Sequence, residues 1–384
     1  MLYSISHSTP NLVCKTPDIK EIFAQSDKPK PLTNAIVEPI LCYLLILHHD
    51  RLFHLTRSVG MQTVSTRDIH VKFWGVRGSI PTPISPPALQ DKIVDLLVES
   101  QGHDLAAPDT ARAFLESHSI FEKNTIGGNT ACVEVRTSDQ HIIIDCGSGM
   151  KELGWVLMQE AYGRGEGEAH ILMSHTHWDH IMGFPFFQPA YVPGNKFTIC
   201  GAHKDLQQRF KLQHHPRNFP IPMEVMASDL TFKKLSPDRK THLGKVTIKP
   251  FELEHPGDSY AYRIESGKHT FIHASDGSYN NPSPDAMAKY HAFYQNADAL
   301  VFDAHFDLIE SFEKSDWGHS TSFIGVDIAL HANVKRLVLF HHDPLSDDRR
   351  LQKFLNSTRR YLNHVAPNAD LEVIVAYEGL ELTV

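Results

Sequence analysis

The chain has 384 residues, of which 41% are apolar and 21% charged, and its formal net charge is −8 at pH 7. These values are ordinary for a globular protein with a sizeable core. The negative charge disfavours a long polyanion such as RNA or DNA as the substrate. The 26 histidines stand out, and because imidazole is the commonest metal ligand among side chains, they favour a metal-binding protein.

The cysteines indicate a reducing compartment. Five are scattered along the chain without a C-x-x-C pair, at positions 14, 42, 132, 146 and 200. This pattern argues against a disulfide framework and against a cysteine-based zinc knuckle. The N-terminus lacks the features of a signal peptide, and the most apolar run, residues 40–47, is too short to cross a bilayer. The sequence therefore predicts a cytoplasmic protein that does not span a membrane.

Residues 1–66 differ in character from the rest. They contain a Pro-Lys-Pro stretch and one apolar run, without clear strand alternation. We interpret them as an N-terminal appendage with one helix across 40–55, or as an over-long reading frame whose natural start is Met61. Residues 67–384 form the main domain, and residues 84–126 are a helical insertion in it.

In the main domain, strand and helix patterns alternate. Apolar residues at period two or in short runs predict strands at 70–74, 132–136, 141–145, 171–173, 197–200, 246–253, 260–264, 271–274, 299–302, 337–340 and 371–376. Helical spacing predicts helices at 89–98, 110–117, 204–212, 284–295, 322–331 and 349–362. Strands dominate early and helices are interleaved throughout, which predicts two sheets covered by helices in layers.

The strongest motif is His-Thr-His-Trp-Asp-His at positions 175–180, directly after the buried strand at 171–173. Four potential ligands lie within these six residues: His175, His177, Asp179 and His180. On a strand they could not all point the same way. A turn that leads into a helix can spread them around two metal positions about 3.5–4 Å apart.

Further ligand candidates follow other apolar strands. His255 comes after the strand that ends at 253, Asp276 after the strand that ends at 274, and His341 directly after the strand that ends at 340. The neighbouring His342 competes with His341, which we prefer because it lies nearest the strand end. This recurrence just beyond strand ends indicates one site with two metal ions.

These ligand candidates resemble the pattern of the metallo-β-lactamase superfamily over roughly residues 70–384. The resemblance implies an α/β fold, an αββα sandwich of two mixed sheets with helices on the outer faces. It also implies a first metal held by His175, His177 and His255, a second held by Asp179, His180 and His341, and a bridging Asp276.

Other segments narrow the resemblance. They look like the bacterial branch that cleaves cyclic nucleotides or ribosyl cyclic phosphates, and they are similar to ribonuclease Z. These segments are residues 73–83, 127–130, 144–149, 183–187, 317–321 and 340–344. The His-Ser-Thr sequence at 319–321 is shared with ribonuclease Z, where the matching histidine faces the scissile phosphate.

The resemblance implies hydrolysis of a small phosphodiester, a 3′,5′-cyclic nucleotide or a ribosyl cyclic phosphate, by a metal-activated hydroxide. Nitrogen and oxygen ligands favour two Zn²⁺ ions, with Mn²⁺ or Fe²⁺ as alternatives. Asp179 would accept the proton of the attacking water, and His319 would donate to the leaving oxygen. We predict substrate contacts from Arg77, Asn129, His319 and Ser320.

Supporting and alternative roles complete the prediction. Asp145 and Asp303 would orient ligating histidines. The alternatives are a ribonuclease Z-like endonuclease for tRNA 3′ ends, a redox di-iron module, and a module that only binds a nucleotide. His177 disfavours the di-iron module, because such proteins place a carboxylate at that position. The family resemblance suggests a homodimer, and the insertion at 84–126 is either a lid or a dimer contact.

Overall fold

In the computed structural model of the protein, the described residues are 69–279, 283–306, 310 and 318–384. The predicted appendage at 1–66, with its helix at 40–55, lies outside them, so its separation from the main domain stays a prediction. Among the described residues, no helix has the length and apolar character that a membrane crossing requires.

The strands of this part of the chain build two sheets of seven strands each. In chain order they are β1 (His70–Gly75), β2 (Cys132–Arg136), β3 (His141–Ile144), β4 (Glu168–Leu172), β5 (Lys196–Gly201), β6 (Asp229–Lys234), β7 (Thr241–Leu243), β8 (Val246–Leu253), β9 (Ser259–Ser266), β10 (His269–Ala274), β11 (Ala299–Asp303), β12 (Arg336–Phe340), β13 (Glu372–Val375) and β14 (Glu381–Thr383).

Both sheets are mixed. The first has the order β14-β1-β2-β3-β4-β5-β6, and the second β13-β12-β11-β10-β9-β8-β7. In the first sheet β3 to β6 are parallel and the remaining pairs are antiparallel. In the second sheet β10 to β13 are parallel, while β7 to β10 pair antiparallel. The predicted hairpin of β2 and β3 is present.

The helices of the described residues are α1 (Pro86–Glu99), α2 (Pro108–Glu116), α3 (Ile120–Lys123), α4 (Gly149–Leu157), α5 (Trp178–Ile181), α6 (Leu206–Gln213), α7 (Pro284–Tyr294), α8 (Ser322–His331) and α9 (Asp348–Val365). The first three occupy the predicted insertion. Ser85 caps α1 by accepting a hydrogen bond from the amide of Ala88, and prolines follow it in the first turn, as is usual at a helix start.

Strand periodicity explains the layers. Along β3, Ile142 and Ile144 belong to the core that both sheets share, whereas Ile143 between them belongs to the core under α4. Successive side chains of a strand point to opposite faces, so a fully apolar strand is buried on both sides. The second sheet carries α8 and α9 against its outer face, and the predicted αββα sandwich is confirmed.

Three strands and two helices, α4 and the four-residue α3, were not predicted. β6 lies at a sheet edge and is largely exposed and polar, while β7 and β14 have three residues each. Their apolar content is too small for a periodic signal. Gly149 and Gly154 lower the intrinsic helix propensity of α4, which forms because Met150, Leu153 and Leu157 bury one face.

Candidate dinuclear metal centre

The candidate ligands lie where parallel strands end. β3 and β4 run parallel in the first sheet, and β10, β11 and β12 run parallel in the second. Their carboxyl ends therefore meet at one edge of each sheet. Asp145 and the 175–180 turn follow β3 and β4, while Asp276 and His341 follow β10 and β12.

Several of these positions have an unusual backbone. Asp145, Asp276 and His341 have φ values of 61°, 56° and 60°, and Ser79 beside them has 63°. Left-handed conformations are uncommon for residues with a side chain, and they cluster at functional sites. Here they turn the chain sharply at the strand end, so that the side chain points into the gap between the two sheets.

Seven side chains converge there in two groups. In each group the potential ligand atoms all lie within 4.8 Å of one another; the groups are His175, His177 and His255, and Asp179, His180, Asp276 and His341. Asp276 reaches both, with Oδ1 3.8 Å from His175 Nε2 and 3.1 Å from His341 Nε2, and Oδ2 3.2 Å from His180 Nε2.

Hydrogen bonds on the far side of three rings fix their tautomers. His255 Nδ1 donates to the carbonyl of Gly318 at 2.9 Å, and His180 Nδ1 donates to Asp145 at 2.9 Å. Ser174 Oγ donates to Asp145 and lies 3.1 Å from His175 Nδ1, which therefore donates to it. In the neutral rings the protons sit on Nδ1, so each Nε2 presents a lone pair to the centre.

This donor set fits divalent cations. His175 Nε2 is buried and has no hydrogen-bond partner. His180 Nε2 and His341 Nε2 face each other at 3.4 Å, and both face the carboxylates of Asp179 and Asp276. Imidazole lone pairs and carboxylate oxygens that converge with too few protons between them require a cation among them. Imidazole and carboxylate ligands suit Zn²⁺ and other first-row divalent ions.

The pKa values show how strongly the ligands interact. Burial alone would lower the pKa of His180, but the carboxylates of Asp276, Asp179 and Asp145 outweigh it and raise that pKa well above its ordinary value. Burial lowers the pKa of His175 well below its ordinary value. Burial would raise the pKa of Asp179, yet His180 and His341 hold it far below its usual range. Cation binding therefore displaces a proton from this cluster.

His341 and His342 point in opposite directions. His341 Nε2 is 3.1 Å from Asp179 Oδ2, whereas His342 is fully buried and its Nε2 donates to the carbonyl of Ala376 at 2.8 Å. Gly78 packs on the His341 ring so closely that a Cβ there would come within 2.4 Å of the ring Cε1. The preference for His341 over His342 thus has a geometric basis.

A cavity of about 450 Å³ opens above the cluster. Its lining residues are Ser79, Thr176, His177, Trp178, Asp179, Asp276, His319 and His341. His319 Nδ1 donates to Asp303 Oδ2 at 2.7 Å, which directs the opposite side of the ring toward the cavity. Burial opposes the charged form of His319, but Asp303 outweighs it and raises the pKa to about 9. The backbone amide of Ser79 donates to Asp179 Oδ2 at 2.7 Å.

Three predicted substrate contacts do not line the cavity. Arg77 is buried and donates to the carbonyls of Gly127 and Ser346, at 2.8 and 2.6 Å. Its guanidinium therefore holds two loops together, and its predicted contact with substrate stays a prediction. Burial lowers the pKa of Arg77, although nearby carboxylates oppose this.

Asn129 and Ser320 have similar supporting positions. The side chain of Asn129 donates to Glu378 at 3.1 Å and accepts from Ser148 at 2.9 Å. Ser320 is fully buried, and its hydroxyl donates to the carbonyl of Gly277 at 2.9 Å. Their polar atoms are engaged within the fold, and the predicted substrate contacts of both residues stay predictions.

Two residues near the site were missed from the sequence. His305 is buried, donates from Nδ1 to the carbonyl of His341 at 2.9 Å, and stacks on His319 with ring centroids 4.4 Å apart. Its position two residues after Asp303, itself the end of β11, was the available signal. Trp178 lines the cavity, and its place inside the 175–180 motif was the signal.

The layered fold and the converging histidines and carboxylates define a metal-dependent hydrolase. The chain belongs to the β-lactamase superfamily: the family model described as "Beta-lactamase superfamily domain" matches residues 140–342. This span includes all seven converging side chains of the two groups in their strand-end loops.

Relatives agree with this assignment. The Bacillus subtilis protein named "Probable metallo-hydrolase YhfI" is 26% identical over 215 residues, which cover 54% of this chain and 77% of that protein. Ribonuclease Z of Thermoplasma acidophilum is 25% identical over 287 residues, 62% of this chain and 88% of that enzyme. The structure of unliganded yeast PDE1 is similar in fold, with a TM-score of 0.58, 13% identity, and coverage of 83% of this chain and 100% of that chain.

Proposed function

We propose that the chain hydrolyses a small phosphodiester, a 3′,5′-cyclic nucleotide or a ribosyl cyclic phosphate, with two divalent cations in the described centre. The observation that carries the proposal is the position of Asp276, which lines the cavity and lies 3.8 Å from His175 in one ligand group and 3.1 Å from His341 in the other. The relative named ribonuclease Z supports the phosphodiester class, because such an enzyme cleaves that linkage. A net charge of −8 favours a small substrate over long RNA.

We assign His175, His177 and His255 to one cation, Asp179, His180 and His341 to the other, and Asp276 to both. Zn²⁺ is the proposed metal because imidazole nitrogens dominate the set, with Mn²⁺ or Fe²⁺ as alternatives. Bound there, the two cations lower the pKa of a water molecule and neutralise charge on the phosphoryl oxygens.

The proton transfers fall to residues that line the cavity. Asp179, whose Oδ2 is fixed by the amide of Ser79, accepts a proton from the attacking water. The water oxygen forms the new P–O bond while the ester P–O bond breaks. His319, held by its hydrogen bond to Asp303, gives a proton from Nε2 to the leaving oxygen.

The test is a substrate panel with the full-length, zinc-loaded protein. It contains 3′,5′-cyclic nucleotides, ribosyl cyclic phosphates, bis(p-nitrophenyl) phosphate and a pre-tRNA with a 3′ trailer. We expect turnover of the small diesters and its loss in Asp179→Ala and His177→Ala, with the circular dichroism spectrum retained. If none of the diesters is cleaved, the proposal fails; efficient removal of the tRNA trailer with no cleavage of cyclic substrates would establish the ribonuclease Z-like alternative.

We also propose that the insertion at 84–126 is a dimer contact. None of the 14 residues of α1 is buried, and its Leu89, Ile93, Val94, Leu97 and Val98 are between 47% and 61% exposed. Leu89, Ile93 and Leu97 form a stripe that is symmetric about Ile93. An antiparallel copy of the helix would place Leu89 against Leu97, which is what a two-fold interface requires.

Light scattering after size exclusion tests the dimer. We expect the wild type to be a dimer and Ile93→Asp a monomer, because a charge in the centre of an apolar interface is unpaired. The control Val365→Asp changes a similarly exposed aliphatic residue on α9 and should leave the dimer intact. A monomeric wild type at micromolar concentration would overturn the proposal and favour the lid.

A cytoplasmic location is proposed as well. Among the described residues, Cys132, Cys146 and Cys200 are buried, unpaired thiols, which suits a reducing compartment. Burial raises the pKa of Cys146 well above its ordinary value, so this thiol stays protonated and unreactive. Fractionation of cells that express a tagged chain tests the location, and secretion of the protein would contradict it.

A further inference from the structure

Trp178 is the most exposed large apolar side chain of the described residues. It is 81% exposed, although tryptophan is usually well buried. It is the first residue of α5 and follows His177 directly. Together with His177 and Asp179 it lines the cavity above the metal centre. An indole that stays in water beside a substrate cavity indicates a binding surface.

The backbone under this indole is held firmly. The amide of Met182 donates to the carbonyl of Trp178 at 2.8 Å, and the amide of His180 donates to that of His177 at 3.0 Å. Since both neighbours of Trp178 are candidate ligands, the metal centre fixes its main chain on either side. A large side chain with few rotatable bonds on a fixed backbone binds a ligand with little loss of conformational entropy.

The faces of the indole are available. Elsewhere in the site, His319 stacks on His305 and His341, with ring centroids 4.4 and 5.0 Å apart. In the described part of the chain, no aromatic ring or cation packs on Trp178. A flat ligand can therefore lie on it without displacing a protein side chain.

We infer that Trp178 stacks on the base of a nucleotide whose phosphodiester lies at the metal centre. The inference rests on the proposed function and sharpens it, because it selects nucleotides over ribosyl cyclic phosphates that carry no base. The cavity lining combines two kinds of chemistry: the candidate metal ligands and His319 suit a phosphoryl group, and the Trp178 indole offers an apolar plane. A volume of about 450 Å³ lies within the range of small-molecule sites.

Stacking also sets the expected specificity. Every nucleobase has a π face, so an indole platform discriminates weakly between bases and favours those with more surface. Purine nucleotides should therefore bind better than pyrimidine nucleotides, and adenine and guanine should differ little. A site that read hydrogen bonds on the base edge would show a much larger difference between these two purines.

Calorimetric titration of the zinc-loaded full-length protein tests the inference without relying on turnover. The probes are AMP and, as the matched ligand without a base, ribose 5-phosphate. Loss of one base–aromatic stack corresponds to about 5- to 150-fold in affinity. We expect Trp178→Ala to weaken AMP binding by that factor and to leave ribose 5-phosphate binding within about twofold, with Trp178→Phe close to the wild type.

The control is Phe186→Ala. Phe186 is also an exposed aromatic side chain, at 53%, but it packs on Phe219 and does not line the cavity, so AMP binding should not change. Equal AMP affinities of wild type and Trp178→Ala, or no measurable AMP binding at all, overturn the inference. So does an equal loss for both probes, since Trp178 would then act only through the adjoining ligands.

Turnover separates this inference from the proposed function. Hydrolysis of bis(p-nitrophenyl) phosphate and of cyclic nucleotides with the same kcat/KM in wild type and Trp178→Ala would leave the proposed function standing and the stacking refuted. Absence of any hydrolysis, together with an AMP affinity that depends on Trp178, would refute the hydrolysis and support the nucleotide site. If Trp178 instead binds a protein partner, Trp178→Ala leaves AMP binding unaffected, and the inference is overturned.

Discussion

Asp145→Asn is the substitution that best tests how the fold prepares the metal centre. Asp145 is fully buried, and its carboxylate accepts three hydrogen bonds: from the Ser174 amide at 2.8 Å, the Ser174 hydroxyl at 2.7 Å and His180 Nδ1 at 2.9 Å. Asparagine has the same shape and tolerates the left-handed backbone found here, with φ of 61°. The change therefore alters the chemistry of one oxygen and not the chain path.

The consequence falls on the tautomer of His180. An amide oxygen can still accept from the backbone of Ser174, but the NH₂ group then faces Ser174 Oγ and His180 Nδ1 and donates to them. Imidazole can accept at Nδ1 only by moving its proton to Nε2, the atom that faces Asp179 and Asp276. A protonated Nε2 cannot bind a cation. Loss of such a supporting carboxylate costs about 10- to 100-fold in metal affinity, about 1.4–2.8 kcal/mol.

Zinc competition against a chromophoric chelator measures the effect. We expect two binding constants for the wild type and a selective weakening of one in Asp145→Asn, with the thermal transition of the apoprotein little changed. Asp298→Asn is the control: that carboxylate accepts from Thr270 and Lys335 at 2.8 and 2.7 Å, and it belongs to neither ligand group. Unchanged zinc affinity in Asp145→Asn would refute the role given to the hydrogen bond between Asp145 and His180.

Three further predictions concern packing, pH and metal removal. Gly78→Ala places a Cβ within 2.4 Å of the His341 ring, so this candidate ligand must move. We therefore expect mass spectrometry to find one zinc ion per chain, and two zinc ions per chain would contradict the packing argument. Burial would raise the pKa of Glu134, but His141 and Arg136 lower it to about 2, so it stabilises the fold above its ordinary pKa, and that contribution fades as the pH falls towards 2. In urea titrations, Glu134→Gln should therefore cost about 3 kcal/mol of unfolding free energy at pH 7 and about 1 kcal/mol at pH 3. The control Glu381→Gln, which removes an exposed ion pair with Lys72, should cost less than about 1 kcal/mol at both pH values. A cost of Glu134→Gln that does not change with pH would refute the lowered pKa of Glu134. Free zinc at about 100 times the Kd of a site should stabilise the chain by about 2.7 kcal/mol for each site that it fills, relative to the chelated form. Identical denaturation curves would show that no cation binds the folded state.

Local patterns determined most of the fold. Apolar runs at period two or without interruption predicted the central strands, because strands buried on one or both faces need such residues whatever their neighbours are. The seven converging side chains were also accessible from the sequence, since ligands that serve a site between sheets tend to follow strand ends. β6 and the three-residue β7 and β14 were not, because pairing with a neighbouring strand stabilises them more than their own composition does.

Tertiary structure alone decided the direction of individual side chains. His341 and His342 are adjacent and chemically identical, yet a positive φ at His341 turns only that ring into the centre. Arg77 has the chemistry of a phosphate ligand, but backbone carbonyls from distant segments surround its guanidinium. The exposure of Trp178 likewise depends on tertiary structure, because no ring from another described segment packs on its indole. Sequence records which groups are present near a strand end, whereas the direction of each depends on backbone dihedrals and on contacts with residues far away in the chain.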